Sequence, residues 1–240
     1  MQQRIPAKRV PPIGFAHRGA RAHARENTVD AFTLALRLGA SGLESDVWLT
    51  ADGIAVLDHD GVVRRGLRGR PSASFRRAEL PAHIPSLADL YAACGTGFEL
   101  ALDLKDGAAG RAVIDVTRAA EPSMLGRLWL CHPDWAVVAG LRNLDADVRL
   151  VDSTRLARIR EGPERRAATL AENGVDAINL HYSDWTGGLT TLFHRFDRFC
   201  LSWDLQHERL LREAVRMGVD GVFSDWVDRM TTAIADENPA

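Results

Sequence analysis

The feature that most constrains the fold of this chain is a regular alternation of short apolar runs with amphipathic segments. Each run is bounded by Gly, Asp or Pro, and most gaps between runs have the 3.6-residue periodicity of a helix, as in 28–38, 87–94, 111–120, 164–172 and 208–217. The runs are 13–16, 43–49, 54–57, 98–104, 128–131, 148–151, 177–180, 199–203 and 219–223. Alternating strands and helices indicate a parallel sheet with helices packed against it.

The second and third runs are too close in sequence for a parallel crossover, so they are predicted to form a β-hairpin. Asp52-Gly53 lies between them and suits a tight turn, because glycine accepts a positive φ without steric cost. Eight strands remain once the return strand is set aside. This pattern predicts an α/β fold of the (β/α)8 TIM-barrel type, with a hairpin return after strand 2. We expect residues 1–240 to form a single domain, with 1–12 as a flexible N-terminal extension.

Composition excludes several classes of protein. The formal net charge is −2, which gives no reason to expect general nucleic-acid binding. No apolar run reaches the roughly 18 to 20 residues of a membrane-spanning helix, so we expect no stable membrane insertion. The three cysteines, Cys94, Cys131 and Cys200, lack the spacing of a disulfide framework or a zinc cluster. These observations favour a reducing cytoplasm, and a small-molecule partner over a nucleic acid or a membrane.

Carboxylates at the ends of two predicted strands are candidate metal ligands. Glu44 and Asp46 alternate along one strand, so their side chains leave the same face. A solvent-exposed strand face would show the same spacing, and it remains an alternative. Asp103 and Lys105 also share a face at the end of an apolar run, where unpaired charges would be costly to bury. Oxygen ligands of this kind favour Mg²⁺ or Ca²⁺ over zinc.

Two histidines follow predicted strands near these carboxylates. His17 comes directly after the first strand, and His59 comes at the end of the hairpin return. Each could be a hydrogen-bonded structural residue, but two of them beside an acidic cluster suit acid/base catalysis near neutral pH. Arg18 adds a planar set of donors that matches the geometry of a phosphate.

At this point the chain resembles the glycerophosphodiester phosphodiesterases, a family of (β/α)8 barrels. The family carries a set of motifs in a fixed order, and this sequence has the matching residues in the same order. They are His17-Arg18-Gly19, Glu26-Asn27-Thr28, Gly39-Ala40, Glu44-Ser45-Asp46, Thr50-Ala51-Asp52-Gly53 and His59-Asp60. The resemblance continues more weakly through 84–87, 102–105, 202–203 and 221–225, and so covers nearly the whole chain.

The resemblance implies roles for these residues. It implies that Glu44, Asp46 and Asp103 bind a divalent metal, that His17 and His59 act as the acid/base pair, and that the phosphate and the pocket are contacted by three further residues. Those residues are Arg18, Lys105 and Trp203. The family usually has Glu at the position of Asp103, whose shorter side chain could ligate through water. The chain also departs from the family after Trp203 and after Asp225, which affects the alcohol-binding part of the pocket.

The resemblance implies a phosphoric diester hydrolase that cleaves glycerophosphodiesters to glycerol phosphate and an alcohol. Two alternatives share these residues: a phospholipase-type barrel acting on lysophospholipid head groups, and a catalytically silent phosphodiester-binding barrel. The family also carries an insertion after the His-Asp motif, at the mouth of the barrel, which here is short and arginine-rich (64–77). Such a segment could attract an anionic substrate or could be a solvated loop.

Overall fold

The computed structural model describes residues 5–65 and 68–239, and it contains a closed barrel of eight parallel strands with helices outside it. The strands are β1 Ile13–Ala16, β2 Gly42–Leu49, β3 Ala55–Leu57, β4 Val62–Arg65, β5 Arg68–Pro71, β6 Glu99–Leu104, β7 Leu128–His132, β8 Arg149–Ser153, β9 Ala177–His181, β10 Phe199–Trp203 and β11 Gly221–Ser224. The helices are α1 Val29–Arg37, α2 Leu87–Cys94, α3 Ala109–Ala120, α4 Trp135–Ala139, α5 Pro163–Glu172, α6 Gly187–Arg195, α7 Glu208–Arg216 and α8 Val227–Glu237. None of these helices combines the length and the hydrophobicity of a membrane span.

The barrel closes where the first strand meets both the second and the last. β1 pairs in parallel with β2 and with β11, and the remaining barrel strands follow in the order β6 to β10 between them. β3 pairs antiparallel with β2 alone, with Val47 opposite Leu57. The predicted (β/α)8 barrel with a hairpin return after strand 2 is therefore confirmed.

A short insertion follows the hairpin return. β4 and β5 form a small antiparallel pair, and a separate apolar cluster that contains Val63, Phe75 and Leu80 packs against Trp48 of β2. The arginine-rich segment lies in this insertion. Residues 66 and 67 and the side chains of Arg65 and Arg68 are outside the described part of the chain.

Large side chains fill the barrel interior below its mouth. Phe15 stacks on Phe223 with ring centroids 4.6 Å apart and meets the edge of Trp129 at 6.2 Å. Gly42 makes room for this cluster, because a Cβ atom there would lie 2.6 Å from Phe15. A second apolar layer separates the strands from the helices. The functional groups are thus confined to the strand ends, where the packed interior stops.

Residues 5–9, which we call the strap, run across the base of the barrel. The backbone N–H groups of Lys8 and Arg9 donate to Asp220 at 2.7 and 3.0 Å, and Ile5 donates to the carbonyl of Arg216 at 3.0 Å. The guanidinium of Arg9 lies 2.9 Å from the carboxylate of Glu99. Within the extension 1–12 that we expected to be flexible, residues 5–9 therefore make specific contacts, and residues 1–4 lie outside the described part of the chain.

Candidate active site

Three carboxylates meet at the carboxyl ends of β2 and β6. The register of these strands sets Asp46 directly beside Asp103, and Glu44 lies two residues earlier on the same face of β2. One oxygen from each residue lies within 4.8 Å of the other two. Glu44 and Asp46 are 6% and 2% exposed. The shorter side chain of Asp103 thus still reaches the group.

The electrostatics of this group fit a divalent cation. Burial, reinforced by the neighbouring Asp46 and Asp103, raises the pKa of Glu44 to about 7, although His17 acts in the opposite direction. Lys105 Nζ lies 2.9 Å from Asp46 Oδ1 and 3.3 Å from Asp103 Oδ2, but Asp46 Oδ2 is buried without a hydrogen-bond partner. A cation of charge +2 would offset the repulsion and give that oxygen a partner.

An aspartate from near the C-terminal end of the chain, at the end of the neighbouring strand of the barrel, holds His17. Its Nδ1 lies 2.6 Å from Asp225 Oδ1, just beyond β11, and its Nε2 lies 3.9 Å from Glu44 Oε2. Burial alone would lower the pKa of His17, but the charge of Glu44 and the bond to Asp225 outweigh it and raise the pKa. Asp225 was not among the predicted site residues. Its position directly after a strand was the available signal.

A left-handed turn after β1 brings Arg18 into the site. Arg18 has a φ of 53° and Gly19 a φ of 77°, and a Cβ atom on Gly19 would lie 2.8 Å from the backbone of Ala31. The turn lets the Arg18 N–H donate to Glu44 Oε2 at 2.9 Å. The guanidinium then lies 3.2 Å from Glu26 and 3.4 Å from Asp46. The His-Arg-Gly motif therefore places His17 and Arg18 beside the carboxylate group.

The two predicted acid/base histidines line different cavities in this structure. His17 lines the main cavity, of about 550 Å³, together with Arg18, whereas His59 lines an adjacent cavity of about 340 Å³ together with Glu26. The Arg18–Glu26 ion pair thus connects the lining of the main cavity to the lining of the smaller one. His59 is 41% exposed, and its Nδ1 lies 2.8 Å from Asp60.

On the opposite side of the main cavity, strands β8 to β10 contribute neutral side chains to its lining. Ser153 of β8, Asn179 of β9 and Trp203 of β10 line it. Of these, the sequence pointed only to Trp203. Ser153 lies two residues beyond the last apolar residue of its run, and Asn179 is a polar residue inside the apolar run 177–180; these positions were the signals available for them.

The arginine-rich segment contributes to the rim around the smaller cavity. Arg64 lines that cavity, whereas Arg70 lies 5.0 Å from the ring of Phe75 and Arg77 pairs with Asp89 at 3.0 Å. Its arginines therefore have different surroundings rather than one shared partner.

Comparison with known proteins supports one family. Residues 17–89 match the model of the glycerophosphoryl diester phosphodiesterase family, and this range holds His17, His59, Glu44 and Asp46. A glycerophosphodiester phosphodiesterase of Bacillus altitudinis is 26% identical over 90% of this chain and 95% of its own length.

Two solved structures share the fold. A glycerophosphodiester phosphodiesterase of Thermotoga maritima superposes with a TM-score of 0.78 at 21% identity, over 92% of this chain and 97% of its own. An Oleispira antarctica phosphodiesterase, solved in complex with the product sn-glycerol-3-phosphate, gives a TM-score of 0.81 at 22% identity, over 93% and 96% of the two chains. In its ordered motifs, its barrel and these matches, the chain is similar to the glycerophosphoryl diester phosphodiesterase family.

Proposed function

We propose that this protein hydrolyses glycerophosphodiesters to glycerol phosphate and an alcohol, with Mg²⁺ or Ca²⁺ bound by Glu44, Asp46 and Asp103. The observation that carries the proposal is the buried carboxylate group at the barrel mouth, in which one oxygen of Asp46 has no hydrogen bond and His17 lies nearby. The names of the relatives and the product bound to the Oleispira antarctica enzyme support the same substrate class.

The side chains of the site would have the following roles in the reaction. Asp225 accepts from His17 Nδ1, which leaves Nε2 to exchange a proton with the substrate. Arg18 and Lys105 border the carboxylate group and would neutralise phosphate oxygens. His59 would serve as the second proton-transfer group after turning out of the smaller cavity. A bound divalent cation would supply stabilisation of the negative charge that develops on the phosphoryl group.

A cytoplasmic location is part of the proposal. It is supported by the three cysteines, which are all free thiols, two of them buried.

The test is release of glycerol phosphate from a panel of glycerophosphodiesters, measured with a chelator and with added Mg²⁺ or Ca²⁺. We expect release that depends on the metal. His17→Ala and His59→Ala should each lower kcat roughly 100-fold or more, since a positioned acid or base contributes on that order. His23→Ala is the matched control, because His23 pairs with Asp228 on the surface.

Three results would contradict parts of the proposal. Full activity in the chelator would show that the reaction does not need a metal. Normal turnover of His59→Ala would show that His59 takes no part in proton transfer. Faster cleavage of lysophospholipids than of any glycerophosphodiester would favour the phospholipase-type activity instead.

A further inference from the structure

The main cavity has two chemically different halves. β1, β2, β6 and β11 end in or beside charged groups, which include His17, Glu44 and Asp103. β8 to β10 themselves contribute the neutral Ser153, Asn179 and Trp203, with charged residues only in the loops that follow them. We call these last three residues the neutral wall. If the phosphate lies on the charged half, one of the two organic groups of the substrate must lie against the neutral wall.

Asn179 presents an unsatisfied acceptor on this wall. It is 5% exposed, and its Nδ2 donates to Ser153 Oγ at 3.1 Å, but its Oδ1 is buried with no hydrogen-bond partner. Its backbone carbonyl accepts from Thr154 N–H at 2.9 Å, which fixes the residue in place. Buried acceptors in folded proteins are normally paired, so Oδ1 is suited to a donor from a ligand. Ser153 Oγ, which accepts from Asn179, keeps its own proton to donate.

The charges around the neutral wall disfavour a cationic ligand. The guanidinium of Arg155 lies 5.7 Å from the ring of Trp203 and is held there by Asp184, with 2.7 Å between Nε and Oδ2. Arg155 therefore lies against the ring of Trp203, where the ammonium group of a ligand would otherwise bind. Arg158 also lines the cavity and has no ion-pair partner within the described ranges.

Asp204 is an acid on the same side, but both of its oxygens are engaged. Oδ2 lies 3.1 Å from His181 Nε2, and Oδ1 accepts from Gln206 at 3.2 Å. The oxygens of Asp184 also have partners, since both accept from Arg155, so neither carboxylate offers an incoming ammonium group a free acceptor.

We propose that the neutral wall binds the leaving alcohol and selects an uncharged polyol, with adjacent hydroxyl groups, over a cationic amino alcohol. The inference rests on the proposed function. Two neighbouring hydroxyls can donate to Asn179 Oδ1 and accept from Ser153 Oγ. The glycerol phosphate portion is the same in every glycerophosphodiester, whereas the larger of the two cavities has room for the portion that varies.

The first test compares kcat/KM of the wild-type enzyme, saturated with Mg²⁺, for four substrates. Glycerophosphoinositol and glycerophosphoglycerol should be preferred over glycerophosphocholine and glycerophosphoethanolamine by roughly 10-fold or more, as expected for a site whose polar groups are left unpaired by the wrong ligand. No release from any diester would overturn the proposed function together with this inference. Release with equal or higher kcat/KM for the choline diester would overturn the inference alone.

The second test uses the polyol-to-choline ratio of kcat/KM in variants. Asn179→Leu should lower the ratio roughly 10-fold, since one buried hydrogen bond to the polyol is lost. Ser153→Ala should lower it too, and it provides an independent variant if Asn179→Leu unfolds at a lower temperature. Arg158→Gln should lower the ratio by relieving repulsion of choline. Asn173→Leu on the surface and Arg160→Gln are the matched controls and should leave it unchanged.

One pattern in these variants would overturn the assignment of the wall to the alcohol. Because the glycerol is common to all substrates, a wall that bound the glycerol would make Asn179→Leu and Ser153→Ala lose kcat/KM equally for all four diesters. The ratio would then stay constant while activity fell.

Discussion

Asp225 orients His17 through a contact that joins two residues 208 positions apart in the chain, with 2.6 Å between Oδ1 and Nδ1. Its own backbone N–H donates to Gln206 Oε1 at 3.0 Å, so the aspartate is itself held in place. The carboxylate fixes which ring nitrogen of His17 faces the cavity and favours the protonated ring. Asp225 is therefore a positioning residue for the proposed proton transfer.

We expect Asp225→Asn to lower kcat roughly 10-fold or more, because the imidazole loses the partner that orients it for proton transfer. Loss of the negative charge should also lower the pKa of His17, so the limb of the pH–rate profile that reports its deprotonation should move to lower pH. The pH dependence of kcat is the measurement. Asp228→Asn, which removes the partner of surface His23, is the control. A profile that does not move would show that Asp225 has no influence on the titrating group.

Changing the length of the side chain at position 103 tests whether Asp103 binds the metal. Calorimetry with Mg²⁺ or Ca²⁺ should show weaker binding by Asp103→Ala, because one of three carboxylates is lost. Asp103→Glu should bind at least as tightly as the wild type, since the longer side chain still reaches the group. Asp106→Ala, nearby on an exposed turn, is the control. Equal affinity in all of these variants would remove Asp103 from the ligand set.

The sequence could predict that Glu44 and Asp46 share a face, because strand side chains alternate within a few residues. Asp103 could be added because parallel strands end at the same edge of a barrel. The contact between His17 and Asp225 could not be predicted in this way, because it depends on how the barrel closes. Nor could the position of His59 in the lining of a different cavity, since it depends on tertiary neighbours of the hairpin return.

At the level of elements, β8 and α5 are joined by a buried ion pair behind the barrel wall. Asp152 Oδ2 lies 2.6 Å from Arg166 Nη1, and Asp152 is fully buried, with Oδ1 unpaired. Burial raises the pKa of Asp152 to about 6, even though Arg166 favours the charged form. The native state therefore keeps the proton on this carboxyl at pH values where the unfolded chain has lost it.

This raised pKa predicts that the protonated Asp152 carboxyl favours the folded state most below pH 4 and that this contribution is lost as pH rises through 6. The free energy of unfolding of the wild type, relative to that of Asp152→Asn, should fall by roughly 1 to 3 kcal/mol between pH 4 and pH 7. Urea unfolding at the two pH values measures it. Asp115→Asn, on the exposed face of α3, should give no such change. A difference that is constant or grows with pH would contradict the prediction.

Some elements followed from sequence and others did not. The barrel strands and the β2–β3 hairpin were evident because each combines an apolar run with clear turn residues. α6 was not among the segments named for their helical periodicity. It begins with Gly187-Gly188, which disfavour a helix, but Thr186 caps it and packing overrides the local propensity. The β4–β5 pair was missed because its arginines hide any alternation of apolar and polar residues.

For the whole molecule, the strap closes the end of the barrel opposite the mouth. Glu99 receives Arg9 on one oxygen and the indole N–H of Trp129, at 2.7 Å, on the other. The backbone of the strap meanwhile satisfies Asp220, which is fully buried. The barrel interior is thus sealed at its base by residues that precede its first strand.

A chain that begins at Val10 should therefore unfold more readily while keeping its chemistry. We expect a loss of about 2 to 4 kcal/mol in the free energy of unfolding, because Glu99 and Asp220 are left buried without these partners. Thermal denaturation should show the loss, and kcat well below the melting temperature should be unchanged. Replacing Lys8 alone with Ala, which keeps the backbone bonds, should cost much less. A large fall in kcat at unchanged stability would contradict a purely structural role.

The seam where β1 meets β11 also has a consequence for biosynthesis. His17 leaves the ribosome early, but the residue that orients it is translated 208 codons later, with the last strand of the barrel. A chain that ends before Asp225 contains all three carboxylates, but it lacks the aspartate that orients His17. The step that completes the barrel therefore also completes the proposed catalytic centre, and nascent chains would carry no active enzyme.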